Sequence, residues 1–433
     1  MKSTVGAFQH KEERQVLISF FKELIDELKH DFSLLELRPK HLPSTSDYFE
    51  GDFDFLIEEK EFTAIFKLLY ETCKNRGINF NFIQKFPNKK KFHFFIKHRN
   101  SIAITLELWT AIEFTKNKKP HTFSAENIFK TLQINRLRKS EILSLIYVTH
   151  LFHKQKNVFS EENKYRFQVF LEKLKAEQTP ISEKVIGILE ELKTEKTSLP
   201  GANNKALHLL NKSGVKSKKV YFPMIKLYAK AIWHRLFHLY RTIPVVGPDG
   251  VGKGIVSELA LEHHKDRASF RFKDLYRMRI FYKHIVLRFF NPNDLKKNRL
   301  DEDLGYYIFT IASFSIYILP IYLKGKKVLL DRYYLDYYAK PIRYLEENQN
   351  PKKLKGYSFL LYLTPVPQQM IFMGCKDQSL KERKNELSQT AVDYLQDLYI
   401  EFILKKKIPE ILFISTENQV ETSVKAMQDF LPE

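Results

Sequence analysis

The chain has 433 residues, with 71 Lys and Arg against 51 Asp and Glu and a formal net charge of +20. At roughly 150 residues per domain this length points to two or three domains, and a composition 44% apolar and 14% aromatic fills cores and speaks against disorder. Only 14 glycines exclude collagen-like and glycine-linker classes, and two distant cysteines, Cys73 and Cys375, speak against a disulfide framework or a zinc site and fit a reducing, cytoplasmic setting.

The opening MKSTVGAFQHKEERQ carries no apolar stretch of the secretory type. VLISFFKELIDELKH has apolar residues at i, i+3, i+4 and i+7 and predicts a helix. GDFDFLI alternates acidic and apolar residues, the period of a strand. EFTAIFKLLYETCKNRG predicts a second amphipathic helix ending at Gly77, and KFHFFIKH and SIAITLELW predict two more strands. Residues 1–115 therefore read as an α/β unit, with 17 basic and 17 acidic residues.

Residues 116–240 change character, with 24 basic against 10 acidic residues. ENIFKTLQINRL, SEILSLIYVTHLFHK, KYRFQVFLEKLKA and SEKVIGILEELK are helical in period. The Lys-rich run KTEKTSLPGANNKALHLLNKSGVKSKK reads as a flexible connection, and FPMIKLYAKAIWHRLFHLYR as a long basic, aromatic helix. The excess charge makes a polyanion, RNA or an acidic membrane surface, an expected partner of this region.

From residue 241 the pattern becomes strand, glycine-rich loop and helix, then further strand–helix alternation, as in a parallel doubly wound sheet. KKVLLDRYY, YSFLLYLTP and PEILFIST read as strands. The uncharged run YYIFTIASFSIYILPIYL (306–323) is long enough to graze the span of a bilayer, but its Ser, Thr, Pro and Tyr content predicts a buried helix, so no transmembrane segment is expected.

The strongest local signal is TIPVVGPDGVGKGIVSELALE. Four of the 14 glycines, Gly247, Gly250, Gly252 and Gly254, fall within eight residues, between an apolar strand and an amphipathic helix. Such glycines let successive backbone N–H groups turn toward phosphate oxygens, and the following helix start adds partial positive charge. Lys253 can reach the β- and γ-phosphates of a nucleotide, here ATP, with Gly247, Gly250, Val251, Gly252 and Gly254 around it. Gly254 stands where Ser or Thr usually supplies a magnesium-binding hydroxyl.

On these residues the segment 242–433 resembles the thymidylate kinase-like branch of the P-loop nucleotide kinases. GPDGVGKG is similar to that branch's phosphate loop, with Asp249 toward the acceptor. LLDRYYLDYY resembles its Asp-Arg-Tyr segment; the resemblance implies that Asp331 holds Mg2+ or the acceptor, that Arg332 contacts phosphate, and that Tyr333 and Asp336 line the acceptor pocket. LTPVPQQMIFMGCKDQSLKERK resembles a strand, a Pro-containing turn and a basic lid helix, implying lid roles for Lys376, Arg383 and Lys384, with Cys375 where a basic residue is common. PEILFISTENQVETSV resembles the last strand and the loop beside the base. Between these, RASFRFKDLYRMRIFYKHIVLR interleaves Arg271, Lys273, Arg277 and Arg279 with aromatic residues; it reads either as acceptor contacts or as an exposed helix face.

Gly51-Asp52-Phe53-Asp54 puts two carboxylates on one face of a strand, and Glu107 offers a third from a later strand. With the helix and strand order around them, these resemble the metal-binding acids of nucleotidyltransferase-like domains. The resemblance implies two Mg2+ ions and attack on a nucleotide α-phosphate. The family's Gly-Ser element is absent; Ser44, Thr45 and Ser46 lie near its place. Active transfer, a degenerate nucleotide-binding or regulatory domain, and an unrelated fold all remain open.

The architecture resembles a bacterial two-domain family of thymidylate kinase-like proteins. The changes of charge and pattern along the chain divide it at 1–115, 116–240 and 241–433, and the resemblance implies phosphoryl transfer from ATP to a small acceptor, a nucleotide or sugar derivative. The alternatives are nucleotidyl transfer at the N-terminal acids beside a regulatory kinase-like half, and a non-enzymatic, nucleotide-responsive module.

Overall fold

A computed structural model describes residues 2–37, 52–86, 88–97, 103–116, 119–134, 136–154, 160–219, 242–262, 267–271, 327–331, 366–383 and 389–431, with 284, 288 and 333 singly. The anticipated helix at 222–241, the basic aromatic run with Arg277, the apolar run 306–323, the YSFLLYLTP strand, Arg332, Asp336 and Lys384 lie outside the described residues.

The N-terminal part contains α1 (Lys2–Asp31), β1 (Leu35–Glu36), β2 (Asp52–Leu56), α2 (Phe62–Arg76), β3 (Asn79–Phe86), β4 (Lys89–Phe95) and β5 (Ile104–Trp109). Phe62, Ile65, Phe66, Leu69, Tyr70 and Cys73 form the buried stripe of α2, and the helix stops at Gly77, whose φ of 68° is left-handed. β3 was not anticipated, although NFNFIQ alternates as β2 does.

β6 (Ala111–Lys116), β7 (Lys119–Ser124) and β8 (Ser217–Lys219) make a separate antiparallel sheet. Against it pack α3 (Ala125–Gln133), α4 (Lys139–His153), α5 (Glu161–Glu177), α6 (Pro180–Lys193) and α7 (Leu199–Lys212), around their own apolar core. The starts of α3, α5, α6 and α7 are capped by Ser124, Ser160, Thr179 and Ser198, each accepting a bond from a backbone N–H three residues on. The reading of 193–219 as a flexible connection is corrected: Ser198 caps α7, Pro200 sits in its first turn, and Ala202, Ala206, Leu207 and Leu210 bury its apolar face. The helical region also starts earlier than residue 116, because β6 belongs to its sheet and Ile112 to its core.

The C-terminal part contains β9 (Thr242–Val246), α8 (Lys253–Leu261), β10 (Arg267–Arg271), β11 (Lys327–Asp331), β12 (Gln369–Gly374), α9 (Asp377–Arg383), α10 (Gln389–Lys406), β13 (Glu410–Ser415) and α11 (Val420–Phe430). Its strands are all parallel, in the order β10-β11-β9-β12-β13. QMIFMG, within the run that resembles a strand, a Pro-containing turn and a lid helix, is the inner strand β12, buried from Met370 to Gly374.

The two parts share one sheet. β3 pairs antiparallel with β13, giving a ten-stranded order of β1-β2-β5-β4-β3-β13-β12-β9-β11-β10. One apolar cluster runs along one face from Phe53 and Phe55 to Val328 and Leu330, under α1, α2 and α10. At the seam Phe80 stacks on Phe413 at 4.9 Å and Tyr70 on Phe372 at 5.0 Å. The opposite face carries two clusters, one shared with the helical region and one under α8 and α11. Between them the strands present a polar strip. No described helix is long and apolar enough to cross a membrane.

Candidate functional site

β9 is the central strand of the parallel set. The chain leaves it for β10 and β11 on one side and later for β12 and β13 on the other, so the strand order reverses at β9. The crevice outside the carboxyl end of such a strand is where open α/β sheets bind ligands. The glycine loop lies there. Gly247, Gly250 and Gly252 have φ of 144°, 96° and 87°, values that side chains with a Cβ rarely adopt. A Cβ at Gly247 would stand 2.2 Å from the Met373 carbonyl oxygen on β12, whereas one at Gly252 or Gly254 meets nothing within 4 Å. The loop is thus pressed against the sheet on one side and open on the other. Buried Val251 anchors it in the cluster under α8.

Lys253 begins α8 and is 6% exposed. Its Nζ donates to the Gly247 and Pro248 carbonyls at 2.6 and 2.7 Å and lies 3.5 Å from Asp249 Oδ1. The ammonium therefore sits inside the loop, satisfied by groups that a phosphate could replace. The residue at the start of α8, Gly252, has no side chain with which to cap the helix. The residues fit a phosphate chain.

Asp331 ends β11, adjacent to β9 with Val245 as its register partner, and is half-buried. Arg271 ends β10 and is the register partner of Asp331. Tyr333 is a correction to the acceptor-pocket reading: it is 1% exposed and belongs to the apolar cluster, its ring 5.9 Å from Phe402.

The residues expected in a lid, Lys376 and Arg383, lie at the carboxyl ends of β12 and β13. Arg383 Nη1 and Nη2 donate to Thr416 Oγ1 and O at 3.1 and 2.8 Å, beyond the end of β13. The guanidinium is thus bound at the end of β13, two strands from β9. Lys376 is exposed, its backbone N–H donating to Glu417 at 2.8 Å.

The N-terminal acids are brought together as the alternation predicts. Asp54 and Glu107 are register partners on parallel strands, with Asp52 on the same face. β4 adds two lysines there, which the sequence reading missed although KKKFHFF alternates. Lys91 Nζ lies 3.2 Å from Asp52 and 3.3 Å from Glu107, and Lys89 Nζ is 3.0 Å from Glu107. Trp109 Nε1 donates to Asp54 at 3.1 Å. Burial, then Asp54 and Asp52, push the Glu107 carboxyl above its ordinary value, opposed by Lys89. Among the described residues no three His, Cys, Asp or Glu side chains are arranged to hold a metal ion. The acids share a face, but ammonium groups stand among them, so this arrangement does not fit two Mg2+ ions. The cavity beside Asp54, lined by Trp109, Ile146, Tyr147 and His150, has about 20 Å³, room for one water. β2 is six strand spacings from β9, about 29 Å, so no small molecule contacts both sites at once.

Lys212, Lys216, Lys218 and Lys219, at the end of the helical region, are exposed. The chain matches no protein-family model, and a search of curated proteins finds no match.

Proposed function

We propose that the C-terminal part is an ATP-dependent phosphotransferase of the P-loop nucleotide-kinase type, acting on a small acceptor such as a nucleotide or sugar derivative. The observation that carries this is Lys253 lodged inside a glycine-bent loop at the carboxyl end of β9, where the strand order reverses. Phosphoryl transfer requires positioning and positive charge more than covalent help. Lys253 exchanges the Gly247 and Pro248 carbonyls for the β- and γ-phosphate oxygens. Loop N–H groups and the start of α8 hold the same phosphates. Asp331 is the carboxylate for Mg2+, which supplies charge neutralisation of the phosphates when bound. Gly254 offers no hydroxyl, so the burden of holding Mg2+ falls on Asp331.

We read the N-terminal part as a nucleotidyltransferase-like domain whose acids are neutralised by Lys89 and Lys91, acting as a structural partner with no metal-dependent step.

The test is incubation of the full chain with γ-labelled ATP, Mg2+ and pooled nucleotides and sugar derivatives. Transfer of label that disappears in Lys253→Ala supports the reading. Transfer that is equal in the variant, or no transfer to any acceptor and no binding of ATP, rejects it.

A further inference from the structure

Lys74 on α2 is 1% exposed, the most buried lysine among the described residues. Its Nζ lies 2.7 Å from Glu71 and 3.1 Å from Asp377, the first residue of α9 and 303 positions away. A buried ammonium is costly where an apolar residue would pack as well, so its position against Asp377 needs a reason. The surroundings supply one. Next to Lys74, the Asn79 side chain accepts from Ser415 N at 2.9 Å, and Asn418 Nδ2 donates to Gly77 O at 2.8 Å. Ser415 Oγ donates to Lys74 O at 3.4 Å. The end of α2 and the start of β3 thus grip the loop that follows β13. That same loop holds α9: Glu417 accepts from Lys376 N and Ser379 Oγ at 2.8 and 2.9 Å, and Thr416 binds Arg383. Loop and helix both lie outside the carboxyl ends of β12 and β13, the end of the sheet that carries the glycine loop.

We propose that Lys74 is a positioning residue of the phosphoryl-transfer site: through Asp377 it fixes the lid helix α9 and the loop 415–418, so that the N-terminal part completes the wall of the nucleotide crevice. This rests on the phosphotransferase reading above. Lys74 touches no reacting atom and acts through α9, which carries Arg383.

The test uses the full chain with Lys74→Met, Lys74→Arg and Asp377→Asn; the last changes a half-exposed side chain and spares the core. Two quantities are read: amide hydrogen exchange in 376–383 without nucleotide, and the dissociation rate of a fluorescent ATP analogue. Lys74→Met and Asp377→Asn are each expected to raise exchange there about tenfold, the double variant adding little. Both are expected to speed analogue release, and Lys74→Arg to restore both readouts. Unchanged exchange in both variants overturns the inference, and so does raised exchange with unaltered release. If wild type and Lys253→Ala handle the analogue identically, the phosphotransferase reading fails instead, and the exchange data still show whether Lys74 holds α9.

Discussion

Asp54 and Glu107 stand side by side as register partners on β2 and β5, 1% and 2% exposed. Burial first, then the charges of Asp54 and Asp52, raise the Glu107 carboxyl above its ordinary 4.5. The folded chain therefore keeps this proton to higher pH than the unfolded chain does. Its contribution to stability is full below that ordinary value and is lost as pH rises through the raised one. Wild type should lose stability relative to Glu107→Gln as pH is increased from 4.5 toward neutrality. Urea midpoints of both proteins across that range check the sign, and a difference running the opposite way removes the explanation.

Lys91 bridges Asp52 and Glu107, where a cation would otherwise be needed. Deleting both ammonium groups, as Lys89→Ala with Lys91→Ala, leaves the carboxylates uncompensated. The double variant should acquire an Asp52-dependent thermal stabilisation by millimolar Mn2+ that wild type lacks. An equal Asp52-dependent effect in wild type would show that the lysines yield to metal and restore the nucleotidyl-transfer reading.

The glycine-rich loop between β9 and α8, the paired acids and most helices were legible because each is written locally: glycines in eight residues, alternation in DFDFL, and 3.6-residue stripes. What was not legible depends on partners distant in sequence. Nothing near Lys89 and Lys91 announces that β4 will lie beside β5 and bring them to Glu107. Which part of LTPVPQQMIFMGCKDQSLKERK is the strand is decided only where β9 and β13 enclose QMIFMG on both sides. Tyr333 follows Asp331 by two residues and looked like a pocket residue, yet the structure commits its ring to the core beside Phe402. The connection read into 193–219 failed because lysine content outweighed the Ser198-Leu199-Pro200 helix start, a more specific signal.

The glycines of the loop should separate by cause. Gly247→Ala meets both a φ of 144° and the Met373 carbonyl at 2.2 Å, so it should lower the unfolding free energy by about 1–3 kcal/mol from backbone strain and further from the clash. Gly252→Ala has a φ of 87° but open space, and should cost about 1 kcal/mol. Gly254→Ser meets nothing and has no left-handed φ; it should fold as wild type and tighten Mg2+-dependent ATP binding by supplying the missing hydroxyl. Denaturant curves and calorimetric ATP titrations with and without Mg2+ measure these effects. Equal destabilisation by Gly247→Ala and Gly252→Ala would show that the approach to β12 is unimportant.

The seam between β3 and β13 should make the N- and C-terminal parts unfold together. Four backbone register pairs, from Phe80–Phe413 to Ile83–Glu410, join them, and the apolar cluster crosses the seam without a break. Buried Asn79 accepts from Ser415 N at 2.9 Å and donates to Ile96 O at 2.6 Å. Asn79→Ala leaves a buried N–H without its acceptor, at a cost of about 1–3 kcal/mol. If the sheet is one cooperative unit, exchange of the core amides of β4 and β5 should accelerate by the same factor as those of β9 and β12, although the hydrogen-bond partners of the Asn79 side chain, Ser415 and Ile96, lie outside β9 and β12. Were the acceleration confined to β3 and β13, the two parts would be separate folding units joined edge to edge, and each half of the sheet should then survive expression without the other.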